Sequence, residues 1–304
     1  MDFELVVLGN SSATPIYNRN LSAQVLKVHE HFFLIDCGEG TQMQLRKFNI
    51  NINKITHVFI SHLHGDHFLG LLGLISTMHL FSRKNELHIF AHQDLKKIID
   101  VYLQCSNTVL CFPLVYHPLT FIQPEKIHED KNISVKTIIL NHRIECCGFL
   151  FKEKEKPRKI NKEMTDKYNI PVHELNNIKK GNDFTDKKGN IIKNSELTFA
   201  PSKSCSYAYC SDTKYSEAII PLIKNVDLLY HEVTFMLEKQ NTANEKFHST
   251  TIDAATIAKK AQVKKLLIGH FSARYKELEP LLNEAKSVFK NTAIAEEGVT
   301  YTIN

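Results

Sequence analysis

At 304 residues, 43% hydrophobic and 23% charged, the chain is long enough for one large domain or two ordinary ones around a sizeable core. No apolar run reaches the length of a membrane span, and the opening "MDFELVVLGN" lacks the basic-then-apolar layout of a secretion signal. Seven scattered cysteines, odd in number and without a C-x-x-C pair, argue against a disulfide framework and predict a reducing cytoplasm with no membrane partner.

The net charge of +5 is mild but unevenly placed. Residues 152–203 hold 13 Lys or Arg against 8 Asp or Glu, which leaves 25 of each sign elsewhere. The whole basic excess therefore lies in one segment, which a polyanionic partner would meet first.

In chain order, "FELVVLG" (3–9) reads as a buried strand ending in a glycine turn. "AQVLKV" and "HFFLIDCGEG" (23–40) read as a hairpin whose second strand ends at Asp36, and "TQMQLRKFNI" (41–50) has helical spacing. "KITHVFIS" (54–61) is a strand, followed by a polar junction and a helix from near Phe68. Strand "ELHIFAH" (86–92), helix "QDLKKIIDVYLQ" (93–104), and strands "ISVKTIILNH" (133–142) and "CGFLFKE" (147–153) continue the series. Residues 152–203 differ in kind. They are rich in Lys, Asn and Asp, are broken by Pro157, Pro171, Gly181, Gly189 and Pro201, and read as an inserted arm with short structure at most. Strands return at 206–212, 226–232 and 264–270, with helices expected at 215–225, 251–261 and 278–290 and a last strand in "GVTYTIN". Strand–helix alternation of this kind predicts an α/β layered fold. Several strands end on Asp, His or Glu, namely Asp36, His62, His142, Asp212, Glu232 and His270, where a rigid sheet can aim side chains at one point.

The junction "ISHLHGDHFLG" (60–70) packs three histidines and an aspartate into positions 62–67. Its alternation lets His62 and His64 point together while Asp66 and His67 face a neighbouring position, and Gly65 relieves crowding in the tight loop. Neutral imidazole with carboxylate is the donor set of zinc or a similar divalent ion. The motif has too few ligands for two metals, so distant strand ends are needed: His142, Asp212 and His270. Alone, each of the two histidines reads equally as a core residue and Asp212 as a helix cap. With a cluster that lacks partners, they read as ligands, and a carboxylate such as Asp212 can bridge two cations.

These residues resemble the metallo-β-lactamase fold, whose signature is "SHLHGDH". Within it, "DCGEGTQMQL" (36–45), "NHRIECCGF" (141–149), "CSDT" (210–213), "HEVTF" (231–235), "FHST" (247–250) and "GHFSARY" (269–275) resemble the ribonuclease Z family of tRNA 3′-processing endonucleases. The resemblance implies a four-layer αβ/βα sandwich over residues 1–151 and 204–304, with 152–203 inserted as a basic tRNA-binding arm. It implies two Zn(2+) per chain, with Mn(2+) as the other candidate metal: one held by His62, His64 and His142, the second by Asp66, His67 and His270, with Asp212 bridging. Asp66 is then also the proton acceptor, and His248 assists the leaving oxygen. Glu232 orients His248 or a ligand, and Ser272 and Arg274 touch substrate. Read without the resemblance, His248 has the alternative of capping the helix near Thr251, Glu232 of a strand-end charge, Arg274 of an ion-pair partner, and the arm of a solvated insertion.

The implied activity is a cytoplasmic, homodimeric, zinc-dependent endoribonuclease that removes the 3′ trailer of precursor tRNA after the discriminator nucleotide, leaving a 3′-hydroxyl. The competing expectation is a small-molecule phosphodiesterase or other hydrolase on the same metal core. Two departures from the family pattern stand out: "YNIPVHELNNIKKG" (168–181) lacks the Gly-Pro-rich arm tip, and "NSSATP" replaces the commoner Ser-Ala-Gly-x-Pro.

Overall fold

The computed structural model describes residues 3–16, 18–201 and 203–304. The first part of the chain builds strands β1 (Phe3–Gly9), β2 (Ala23–Val28), β3 (His31–Cys37), β4 (Ile55–Phe59), β5 (Leu87–Ala91) and β6 (Leu114–Pro118). Helices α1 (Thr41–Lys47), α2 (Gly65–Phe68), α3 (Gly70–Leu80) and α4 (Asp94–Cys105) lie among them. Strands β7 (Lys126–Glu129), β8 (Ile133–Ile139) and β9 (Cys147–Glu153) follow. Residues of the insertion form β10 (Lys159–Ile160), α5 (Lys162–Lys167), α6 (Leu175–Lys179), β11 (Phe184–Thr185), β12 (Ile191–Ile192), α7 (Asn194–Leu197) and β13 (Thr198–Phe199). The chain closes with β14 (Ser206–Cys210), β15 (Leu228–Glu232), α8 (Gln240–Lys246), α9 (Thr251–Lys260), β16 (Lys265–Gly269), α10 (Glu279–Val288), β17 (Thr292–Ile294) and β18 (Thr300–Thr302).

Two seven-stranded sheets result, ordered β18-β1-β2-β3-β4-β5-β6 and β17-β16-β15-β14-β9-β8-β7. Their facing sides share one core, in which Phe33, Phe59, Phe149, Phe151, Tyr207, Tyr209 and Tyr230 are buried. Leu45 of α1, Leu71, Leu74, Ile75 and Met78 of α3, and Leu95 and Ile99 of α4 cover the outer side of the first sheet. Residues of α9 and α10, including Ala254, Ile257, Ala258, Leu281 and Ala285, cover the outer side of the second. The order helix–sheet–sheet–helix buries both faces of each sheet. For that reason β1 and β14 read as nearly continuous apolar runs rather than alternating ones.

Strands β3 to β6 run parallel, as do β14 to β17, so each set ends along one edge of its sheet. Asp36, Ile60–His62, Asp212, Glu232 and His270 lie at or just beyond those ends, where open α/β sheets present their binding loops. Asp36 and His270 both take the left-handed backbone region, with φ of 54° and 60°. That region is uncommon for side-chain-bearing residues and marks positions that the surrounding structure holds in place.

A second histidine group, absent from the motif reading, lies in the inter-sheet core. His57 stacks on His88 at 4.8 Å and meets His128 edge-on at 4.5 Å, while His117 stacks on Phe90 at 4.2 Å. Burial, then the neighbouring histidines His128, His88, His31 and His117, push His57 down to about 3.

The chain divides into two compact units, one running to Lys152 and resuming over Cys205–Ile303, the other Glu153–Ser204. The second has a small core of its own: Ile178, Ile192 and Leu197 are buried, with Ile160, Met164, Tyr168, Ile170 and Phe184 packed against them. Those residues are too widely spaced to show a periodicity in sequence, so a core there went unanticipated.

One expected helix is corrected. Residues 215–225 form only a single 3₁₀ turn at Glu217–Ile219, followed by turns. Pro221 supplies no N–H for a helical hydrogen bond, although Ile220 before it keeps helical dihedrals, and Ile219 and Ile223 still bury their side chains.

Candidate metal centre

The loop after β4 turns sharply, and only glycine fits two of its contacts: a Cβ on Gly70 would meet the Gly38 carbonyl oxygen at 2.0 Å, and one on Gly38 would meet the Asp66 carbonyl oxygen at 2.5 Å. With the loop drawn down onto the β3 end, His62 Nε2 lies 3.0 Å from His64 Nδ1, which lies 3.2 Å from His142 Nε2. Asp212 Oδ2 faces the same point, 3.6 Å from His62 Nε2 and 3.8 Å from His142 Nε2. A second focus is formed by His67 Nε2 and His270 Nε2, 3.3 Å apart, with Asp66 Oδ2 at 3.4 and 3.5 Å from them. Asp212 turns its other oxygen here, with Oδ1 at 3.4 Å from His67 Nε2 and 3.2 Å from His270 Nε2. The two carboxylate oxygens of Asp212 thus serve two adjacent foci. Asp212, His248 and His270 make a third overlapping group.

Four of the five histidines at the two foci have their other ring nitrogen held by the fold. His62 Nδ1 meets Ser61 Oγ at 3.0 Å, His67 Nδ1 meets Asp36 Oδ2 at 2.7 Å, His142 Nδ1 meets the Phe247 carbonyl at 2.9 Å, and His270 Nδ1 meets Thr234 Oγ1 at 3.0 Å. Such contacts set the tautomer and ring orientation of metal-binding histidines. Asp36, fully buried, also accepts from Ser61 N at 2.7 Å, Ser61 Oγ at 2.9 Å and Tyr209 Oη at 2.6 Å. The amide of Ala13, a non-glycine residue at φ 61°, donates to Asp66 Oδ2 at 2.8 Å.

The donor set fits divalent metal. Burial pushes the imidazoles of His62, His64 and His142 down, which keeps them neutral as ligands must be. Burial would raise Asp66 and Asp212, but the imidazoles around them hold both far below the usual carboxylate range. Asp36, Asp66 and Asp212 surround His67, and among the described residues no Lys or Arg pairs with any of them. Against its burial, the three carboxylates pull His67 up towards its charged form. Buried carboxylates with no Lys or Arg partner suit a further cation, and nitrogen donors converging beside them suit zinc or a similar ion.

Glu232 is fully buried and saturated. It accepts from Thr213 N at 3.0 Å, Thr234 N at 2.9 Å, Thr234 Oγ1 at 2.7 Å, Ser249 N at 3.0 Å and His248 Nδ1 at 2.9 Å. Burial disfavours charge on His248, but Glu232 outweighs it and pushes His248 up to about 9. His248 is not the cap of α9. Thr250 holds that place in a capping box with Asp253. Nor does Asp212 cap a helix, since the 3₁₀ turn that follows has Ser216 at its N-cap position.

A cavity of about 480 Å³ opens over these groups, lined by His64, Asp66, Asp212 and His248 and by Ala13, Pro15, Leu21, Glu39, Leu69 and Arg143 among others. Ser272 and Arg274 are not in its lining. Arg274 Nε instead donates to Ser272 Oγ at 3.1 Å and its guanidinium lies over the Phe235 ring at 4.8 Å. Asp36 was expected only as one of the strand ends aimed at a common point, without a role; Ser61, Thr234 and the main-chain groups of Ala13 and Phe247 were not anticipated as part of the site.

The family described as "Anti-Pycsar protein Apyc1" matches residues 3–156. A protein of Cytophaga hutchinsonii named ribonuclease Z is 49% identical over 305 residues, covering 100% of this chain and 97% of its own. The crystal structure of human tRNase Z, short form, superposes with a TM-score of 0.73 at 27% identity, covering 99% of both chains. The metallo-β-lactamase fold protein YhfI of Bacillus subtilis superposes with a TM-score of 0.69 at 19% identity, covering 99% of this chain and 100% of that one. The fold is therefore the metallo-β-lactamase fold.

Proposed function

The chain belongs to the ribonuclease Z family, with residues 3–156 also falling in the Apyc1 family, and from that premise we infer that it is an endoribonuclease that processes the 3′ ends of precursor tRNA. It is a hydrolase that leaves a 3′-hydroxyl on the tRNA, and its centre binds metal through the His and Asp groups described above. The observation that carries the reading is Asp212, whose two oxygens face two separate sets of imidazoles.

The finer reading assigns two zinc ions, with manganese as the other candidate. His62, His64 and His142 would hold one, Asp66, His67 and His270 the other, and Asp212 both. When bound, such a pair supplies Lewis acidity and activates water near neutral pH. The chain's own residues do the rest. Asp66, pinned by the Ala13 amide, receives the proton of the attacking water. As water oxygen bonds to phosphorus and the bond to the 3′ oxygen breaks, that oxygen takes a proton from His248 and leaves as the tRNA hydroxyl. Nδ1 of His248 is occupied by Glu232, so Nε2 is the nitrogen that acts. Glu232 is a positioning residue: it fixes the ring and sustains its charge. Cleavage falls after the discriminator nucleotide.

The basic unit Glu153–Ser204 is read as the tRNA-gripping arm, since lysines neutralise phosphates without reading sequence. Ser272 and Arg274 are read as RNA contacts outside the cavity. A second copy is the proposed partner of the α1, α3 and α4 layer, where Met43, Leu80, Phe81 and Val101 are 64%, 78%, 52% and 58% exposed. A cytoplasmic location accords with seven free cysteines. Among the described residues, no helix is long and apolar enough to cross a membrane.

The deciding experiment incubates purified protein with tRNA bearing a 3′ trailer, with zinc or manganese and with a chelator. The expected result is one cut after the discriminator nucleotide, abolished by chelation. An uncut substrate with either metal present sinks the reading.

A further inference from the structure

We propose that Arg143 binds an RNA phosphate flanking the one that is cut, gripping it with its guanidinium fork; this rests on the reading of the cavity as an RNA phosphodiesterase site. Arg143 lines the same cavity as His64, Asp66, Asp212 and His248 and follows His142 directly in the chain. It is exposed, and it forms no hydrogen bond, ion pair or ring contact with any described residue.

The other arginines show what a structural role looks like in this protein. Only six of the 38 basic residues are arginine. Arg19 donates to the Tyr275 carbonyl, Arg83 to three backbone carbonyls, Arg158 to Thr198 Oγ1 and Arg274 to Ser272 Oγ. Arg46 lies in the last turn of α1, where a cation complements the helix dipole. Arg143 has none of these uses. An unpaired guanidinium at the rim of a cavity is a pre-formed fork for a phosphate, which it holds in bidentate fashion and which lysine holds only as a point charge.

The rim position separates this contact from the reacting phosphate. The atoms that converge on the two foci come from His62, His64, Asp66, His67, His142, Asp212 and His270, and Arg143, exposed beside them, forms no hydrogen bond or ion pair with any of these residues. Glu39 lines the cavity too and forms no ion pair with Arg143. A carboxylate there repels the RNA backbone, whereas the Arg143 guanidinium attracts it. A contact made equally before and during reaction lowers KM without raising kcat.

The test compares metal-loaded wild type, Arg143→Ala and Arg143→Lys on two precursor tRNAs with different trailer sequences, over a series of salt concentrations. Metal content and thermal midpoint are measured on each protein. Arg143→Ala is expected to raise KM about tenfold on both trailers, to keep kcat within about threefold, and to flatten the salt dependence of log kcat/KM by about 0.7–1. Arg143→Lys is expected to restore the slope and only part of the KM. The proposal is overturned if KM and slope do not move, if the loss falls on kcat alone, or if Arg143→Ala has lost metal, which would trace the defect to His142. A wild type that fails to cut overturns the family reading and this inference with it. A cutting wild type with an indistinguishable Arg143→Ala overturns this inference alone.

Discussion

Asp36 Oδ2 accepts from His67 Nδ1 at 2.7 Å, with both side chains wholly excluded from solvent. The strand end that precedes the motif by a full helix and strand thereby sets which nitrogen of His67 faces the second focus. Asp36→Asn should weaken metal binding at that focus by about 10–100-fold, the usual cost of losing a carboxylate behind a ligating histidine. Competition with a chromogenic chelator measures it, and unchanged affinity would remove Asp36 from the site.

Asp212 serves both foci, so its loss should cost more than one ligand. Asp212→Ala is expected to bind fewer than two metal ions per chain by elemental analysis and to cut trailer-bearing tRNA at least about 10³-fold more slowly, as for loss of a catalytic electrostatic group. Retention of full metal content would refute the bridging assignment.

Glu232 holds a proton on His248, which is pushed up to about 9 from an ordinary 6.5. The charged imidazole is therefore present below that value and lost as pH rises through it. In Glu232→Gln the alkaline limb of the rate profile should move to lower pH by at least about one unit, because the carboxylate that outweighed burial is gone. A limb that stays put would argue that His248 is not the acid.

His57 gives stability an acid dependence of its own. Its folded value lies near 3, below the 6.5 of the unfolded chain. Stability is therefore complete above 6.5 and falls as pH drops towards 3, because only the unfolded chain takes up the proton. His57→Leu should lessen that acid loss, by about 1–2 kcal/mol between pH 7 and pH 4.5 once residual solvent access is discounted. Urea denaturation at pH 7 and pH 4.5 reads the difference, and equal slopes for both proteins would count against the idea.

Lys152 of β9 pairs directly with Ser206 of β14 in an antiparallel ladder, so the ends of the insertion meet as a hairpin would. Replacing 153–205 with a two-residue Asn-Gly turn should leave the core folded. The shortened protein should hydrolyse bis-p-nitrophenyl phosphate and lose most of its activity on precursor tRNA. Undiminished tRNA cutting would exclude the arm as a grip on substrate.

What could be read along the chain was local. The motif 62–67 announces metal because imidazole and carboxylate at that density have few other uses, and the alternation of strands with helices follows from side-chain periodicity. The helix expected at 215–225 stops after one 3₁₀ turn; its apolar spacing was followed although Pro221, which supplies no N–H, stands in the stretch. The core of residues 153–204 was missed because its apolar residues meet only after the segment folds.

From the sequence alone came the donor types at the centre, the layered α/β class and the uneven placing of the basic charge. Folding alone decided that Asp212 divides its oxygens between two foci, that Thr250 rather than His248 caps α9, and that Asp36 backs His67. It also brought in the Ala13 amide and the Phe247 carbonyl. Main-chain groups are the same at every position, so no residue letter marks the ones that matter. Their partners are set by where strands end in space, and that is a property of the packed sheets.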